Sequence, residues 1–289
     1  MADTAYQTQY RQEFVQGFED MTSRLRSTTI TEVVIKGNQA TFLVADSGSA
    51  TAKTRGANGL IAARADNLTQ LTATLAEWHD LVRKTGFNIF ASQGNQKAIM
   101  QKTTMSVINR KIDDDIIAQL DTLTNDTGTS AATATLDMVV HAQVILGDNF
   151  VPIDEEENMF GLITPAFNGY LMQIPEFASS DYVSVKPFEG KARQFRRWMG
   201  VNWIIHPRLT GSVGAGSAGS TEKCYMYHRN CIGHAFDTDS LQEATKNVVG
   251  YDEEQDYSYA RVSAFMGSKL LQNAGGVLMN HDGSAYVAT

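Results

Sequence analysis

Apolar residues recur at helical spacing in two prominent stretches of the chain. Near the start, Tyr6, Tyr10, Phe14, Phe18, Met21 and Leu25 succeed one another at intervals of four, four, four, three and four, with Gln, Arg, Glu and Asp between them. This spacing predicts an amphipathic helix with an aromatic stripe. A terminal stripe is loose unless something ties it down, so two readings stand: a helix on its own core, or an arm that grips a neighbouring subunit. The stronger signal runs from Gln93 to Leu123, where Met105, Ile108, Ile112, Ile116 and Leu120 share a face with Ile99 and Ile117 at its edges. A helix of about 30 residues would be about 45 Å long, well beyond the mean of about 11–12 residues. It should set the long dimension of its domain.

Elsewhere the pattern becomes extended. Val33–Ile35 and Thr41–Val44 flank Lys36-Gly37-Asn38, and Leu71–Val82 is rich in Thr, Leu, Trp and Val. Between them, residues 46–67 are nearly all small or polar. Such a stretch buries too little apolar area to order itself, so it should protrude as a loop or hairpin serving something outside the domain. After the polar stretch Thr124–Thr133, the residues Leu136, Val139, Val140 and Val144 predict a helix ending at Gly147. An acidic loop, a strand at Phe160–Ile163, a helix begun by Thr164-Pro165, and strands around Tyr182–Val185, Val201–Ile205 and Lys223–His228 complete a second mixed unit. Alternation returns in Tyr257–Met266, and Val277–Met279 forms a final strand. There is no internal repeat.

Composition narrows the classes. The 289 residues are 43% hydrophobic and 9% aromatic, as expected of a globular protein. With 24 Lys+Arg against 32 Asp+Glu the formal charge is −8, a poor basis for nucleic-acid binding, which depends on clustered cations. Charged residues make up 19% of the chain, below the usual value of about 25%, which suits a surface that meets other protein. Two cysteines make no disulfide framework. The first residues lack the basic start and apolar core of a signal peptide, and no apolar run is long enough to span a bilayer. Synthesis in a reducing cytoplasm is the expectation.

Three motifs invite chemistry. Gly214-Ala215-Gly216-Ser217-Ala218-Gly219 has the G-x-G-x-x-G spacing, but Cys224-Tyr225-Met226-Tyr227 beyond it reads as a strand, and without a helix there is no phosphate cradle. It is expected to be a flexible hairpin loop. Cys224, His228, Cys231 and His234 fall within eleven residues, yet their spacing matches no usual zinc pattern. Buried thiols with surface imidazoles are expected there. The acidic runs Asp113–Asp115, Asp154–Glu157 and Asp252–Asp256 lack the calcium-loop arrangement, and consecutive helical carboxylates fan out about 100° apart. All three are expected to be solvated surface, as is the basic run Lys191–Arg197, which could otherwise receive a neighbour's carboxylates. Neither G-x-S-x-G, H-E-x-x-H nor G-x-x-x-x-G-K-[ST] occurs. No catalytic residue, cofactor or metal ligand is assigned.

The order of parts, together with Thr74–Ser92 (TLAEWHDLVRKTGFNIFAS) and Gly250–Gly283 (GYDEEQDYSYARVSAFMGSKLLQNAGGVLMNHDG), resembles the major capsid proteins of tailed bacteriophages, which share the Hong Kong 97-type fold. The resemblance implies an α+β fold with residues 1–30 as an N-terminal arm and 31–75 as an extended loop. It further implies a peripheral domain from 76–128 and 245–289, carrying the long spine helix, and an axial domain from 129–244. It implies self-assembly into pentamers and hexamers of a shell, with a separate scaffolding protein, a portal and a possible decoration protein as partners. Some members of the family cross-link a lysine of the extended loop to an asparagine. Lys53 lies in that region, but no matching acid-plus-asparagine context occurs near the C-terminus, so that chemistry is not carried over. The arm stripe and the loop cations Lys53, Arg55 and Arg64 are the candidates for subunit contact. The competing classes are another virion protein, such as a tail tube subunit, which the long helix opposes, and a cytoplasmic enzyme using the Cys224–His234 region.

Overall fold

The computed structural model describes residues 22–34, 36–47, 50–64, 67–92, 95–175, 196–237 and 247–286. Its longest helix, α2 (Gln96–Leu120), starts where the Asn95 side chain accepts a hydrogen bond from the amide of Ala98 at 3.2 Å. Its 25 residues span about 37 Å, somewhat less than the periodicity suggests. Ile108 of α2 packs with Val262, Ala264 and Trp78, while Ile112, Ile116, Ile117 and Leu120 enter the main core. One helix therefore spans both halves of the molecule.

The first half is built on a five-stranded sheet whose axis is β11 (Tyr257–Leu270). Along one edge β11 pairs antiparallel with β4 (Ala76–Thr85), from Tyr257↔Thr85 to Met266↔Ala76. Its other edge is shared by β10 (Val248–Asp252), opposite residues 257–261, and β9 (Ile232–Asp237), opposite residues 266–270. β1 (Ile30–Val34) adds to β9 in parallel. The second half is a sheet in the order β12 (Gly276–His281), β8 (Glu222–His228), β5 (Met159–Ile163), β7 (Val201–Ile205), β6 (Arg196–Trp198). All five residues of β5 are buried, the pattern of a strand covered on both faces. Gly161 is required there, because a Cβ would lie 2.5 Å from the Trp203 ring.

Two helices obey their sequence signals at the start. Thr135 caps α3 (Leu136–Asp148), and Thr164 caps α4 (Pro165–Leu171), each through its hydroxyl. The inward face of α3 is Val139, Ala142 and Leu146; Val140 and Val144 are exposed, so that part of the predicted stripe faces outward. A short helix, α1 (Gly86–Ala91), interrupts the expected run from β4 into α2. Tyr182–Val185 and most of Lys191–Arg197 lie outside the described residues.

Strand pairing cuts across the division expected from sequence. β9 comes from the stretch 129–244 yet belongs to the β11 sheet, and β12 comes from 245–289 yet forms the edge of the second sheet. The polar stretch after α2 is tied to β12 by bridges at Asp126↔Leu278 and Ala132↔His281. A strand is assigned to the sheet that satisfies its backbone groups, and order along the chain does not reveal which sheet that is.

Candidate subunit-contact surfaces

β2 (Gln39–Asp46) and β3 (Asn67–Thr74) form a separate two-stranded hairpin, in register from Gln39↔Thr74 to Asp46↔Asn67. Its base is anchored. Ala40, Phe42 and Ala73 bury against Val34 of β1 and Ala235 of β9, and Phe42 lies so close to Gly233 that a Cβ there would meet the ring at 2.8 Å. Beyond Phe42 the anchoring ends. Leu43 and Leu68 are exposed, as is every residue from 50 to 64. The tip turns at Gly56–Leu60, held by Gly59 N to Gly56 O at 2.8 Å, with Gly59 at φ 74°. Leu60 is 75% exposed and Ile61 68%.

Among the loop cations, Lys53 and Arg55 stand in solvent, and Arg64 donates to the Ser47 carbonyl at 2.9 Å. The sequence-predicted protrusion is therefore present, with two apolar side chains at its tip that the small-residue reading overlooked. A second exposed apolar feature lies where α1 leaves the β11 sheet: Phe87 is 75% exposed and Phe90 88%. Apolar side chains left this open on a subunit are suited to burial by other protein.

Of the arm candidates, Tyr6, Tyr10, Phe14, Phe18 and Met21 lie outside the described residues. Leu25 is fully buried in the subunit's own core and lies just before a single 3-10 turn, Arg26–Thr28, so it is no free contact residue. The segment that holds it is pinned by Asp113, which sequence reasoning placed on the surface and which is 2% exposed. Its carboxylate accepts from the Ser23 hydroxyl at 2.5 Å, the Arg24 amide at 3.1 Å and the Leu25 amide at 3.2 Å. His206, at the end of β7, adds a contact through Nε2 at 3.3 Å. Because His206 Nδ1 accepts from the Arg208 amide, Nε2 carries the hydrogen and donates. Next door, Arg208 grips Asp114 at 3.2 and 2.8 Å. Arg24 reaches the Ile205 carbonyl at 3.0 Å, and Thr28 shares a 2.7 Å hydrogen bond with Tyr227. Residues 23–28 are thus bound to both α2 and the second sheet. The adjacent carboxylates do fan apart, but the first turns inward.

In the cysteine–histidine stretch neither thiol is poised as a nucleophile. Burial pushes both the Cys224 and Cys231 thiols up to about 12, so neither is a thiolate at neutral pH. The imidazoles of His228 and His234 are buried, contrary to the surface placement expected from sequence. His228 Nδ1 accepts from the Asn230 amide at 3.2 Å, and His234 Nδ1 lies 2.9 Å from the Ser268 hydroxyl. Burial, helped by the nearby Arg26 cation and opposed by Asp113, lowers His234 to about 4. Among the described residues no group of His, Cys, Asp and Glu is arranged to hold a metal. The glycine-rich segment leads into β8 and not into a helix, which removes the geometry a dinucleotide needs.

A family model of phage capsid proteins matches residues 2–282. The chain belongs to that family. Solved structures agree on the fold. A chain from Mycobacterium phage Che8 superposes with a TM-score of 0.72 at 14% identity, covering 96% of this chain and 98% of that one. The capsid of Ralstonia phage GP4 gives 0.69 at 11%, covering 99% and 98%, and the capsid of a native GTA particle gives 0.69 at 11%, covering 96% and 95%. No curated protein sequence matches significantly. The architecture is the Hong Kong 97-type capsid fold.

Proposed function

We propose that the protein is the major capsid subunit of a tailed bacteriophage, assembling in many copies into the icosahedral head shell that encloses the viral DNA. The observation that carries this reading is the capsid family match over residues 2–282. The subunit's form supports it, since the hairpin projects from a well-packed body with apolar residues at its tip. The protein is a structural component of the virion, without catalytic chemistry or a required cofactor. In this reading residues 1–30 are the arm and 31–75 the extended loop. The α2–β11 layer, with β4, β10 and β9, forms the peripheral body, and the β5–β8 layer with β12 forms the axial body. Pentamers and hexamers place the same sequence in slightly different surroundings, which favours adaptable arms and loops over one rigid patch. Scaffold, portal and any decoration protein are separate partners.

Electron microscopy of the purified full-length protein tests the reading. Closed icosahedral shells are expected. Replacing Phe14 and Phe18 with Ala should sharply reduce their yield while leaving the melting temperature of the isolated subunit unchanged. A wild-type protein that stays a compact monomer under every assembly condition would refute the proposal. An equal loss of subunit stability would instead move the stripe into the subunit's own core.

A further inference from the structure

The glycine-rich segment before β8 helps to shape a cavity. Gly214 lies against Pro207, where a Cβ would meet the Pro207 carbonyl at 2.2 Å, and Gly219, at φ 76°, accepts from the Gly283 amide at 2.9 Å. These contacts wrap the β7–β8 connection around a cavity of about 210 Å³. Its walls are largely apolar, from Pro165, Ala166, Pro207, Val213 and the Tyr286 ring, and Glu222 of β8 also lines it. Gly283 leaves room for that carboxylate, because a Cβ there would stand 2.7 Å from Glu222 Oε2.

Glu222 is 2% exposed, and its charge has no permanently cationic partner among the described residues. The Thr164 hydroxyl donates to Oε2 at 2.5 Å. Among the described residues, the one basic group within ion-pair reach is His281 Nε2, at 3.8 Å. That nitrogen is fully buried and makes no hydrogen bond, while Nδ1 lies 3.2 Å from the Ala132 carbonyl and so carries the hydrogen. A neutral imidazole therefore turns a lone pair toward the carboxylate. Burial drives both groups toward neutrality, raising Glu222 and lowering His281. A buried carboxylate that lines an accessible cavity without a cationic partner is a site that an incoming cation would complete. No trio of ligands is arranged for a metal ion among the described residues. The walls fit a cation that carries its own apolar stem, leaving the aromatic ring and prolines against methylene groups.

We infer that this cavity binds a primary alkylammonium group, the chemistry of a lysine side chain or of a small free amine. The ammonium donates to the Glu222 carboxylate while its alkyl stem lies between Pro165, Pro207 and Tyr286. Binding holds Glu222 ionised and links the β7–β8 connection, α4 and the segment after β12 through one buried charge pair.

The test is a ligand-observed NMR titration of the full-length free subunit with n-butylammonium chloride at neutral pH, with n-butanol as the neutral comparison. Saturable binding of the ammonium is expected, at least tenfold tighter than the alcohol, and Glu222→Gln should weaken it at least tenfold. Val213→Trp obstructs the mouth from an exposed position, does not touch the buried pair, and should also weaken binding; it serves as the working variant if Glu222→Gln does not fold. Repeating the titration on assembled particles separates the two sources. A site that is open in subunits and closed to butylammonium in particles holds a neighbour's lysine. One that is open in both takes a free amine. No binding to subunits, equal binding of the alcohol, or wild-type affinity in both variants overturns the inference.

Discussion

Asp113 shows how much one side chain can settle. Its carboxylate accepts from two backbone amides and a hydroxyl of residues 23–25 and from the His206 imidazole. Asp113→Ala would leave these donors buried without an acceptor, a loss on the order of 3 kcal/mol. Urea unfolding of the isolated subunit should show it, and a change below about 0.5 kcal/mol would mean the node contributes nothing. His234 makes a second prediction, with its sign fixed by burial. Its folded value, about 4, lies below the ordinary 6.5, so between those values the unfolded chain binds the extra proton. Its contribution is complete above pH 6.5 and is lost as pH falls toward 4, a weakening of up to about 3 kcal/mol. His234→Gln should flatten that part of the subunit's stability profile. If the profile keeps its slope, another group titrates there.

At the scale of elements, the hairpin carries the clearest expectation. Residues 50–64 make few hydrogen bonds within the subunit, chiefly at the Gly56–Leu60 turn, so their amides should exchange rapidly in free subunits and become protected in shells. Equal exchange in both states would make the loop a passive insertion. This element was legible in the sequence because its small, polar composition reflects its lack of a core. The long helix α2 was legible for the opposite reason, since Ile108, Ile112, Ile116 and Leu120 repeat and all are buried. α3 was legible in extent but not in facing. Val140 and Val144 look like core residues, and only the packing of Val139, Ala142 and Leu146 decides which side turns inward. Asp113, His206, Glu222 and His281 were invisible as a group of sites. Their partners lie far away in sequence, 58 residues for Thr164 and Glu222 and 93 for Asp113 and His206, and no local period encodes such pairs. Phe87 and Phe90 were readable as apolar residues, but a six-residue helix that buries nothing leaves no periodic trace.

For the whole molecule, two sheets share one helix and exchange strands. α2 runs from the β11 layer into the core of the second sheet, β9 leaves one half of the sequence for the other sheet, and β12 returns in the opposite sense. The halves therefore resist independent unfolding more than two domains on a linker would. Individual surface ion pairs from Lys53, Arg55 or Arg64 are worth only about 0–1 kcal/mol each, so a shell of such subunits depends on repeated contacts and closure for its strength. The place of β12 has a consequence in time. It hydrogen-bonds along β8 and holds the stretch after α2, yet it is the last strand to be synthesised among the described residues. At about 5–20 residues per second, on the order of 10 s separate the emergence of β5 from that of β12. Until β12 emerges, the edge of β8 that it pairs with stays open. Among the described residues, closure of the second sheet therefore comes late in synthesis, when β12 covers the free edge of β8.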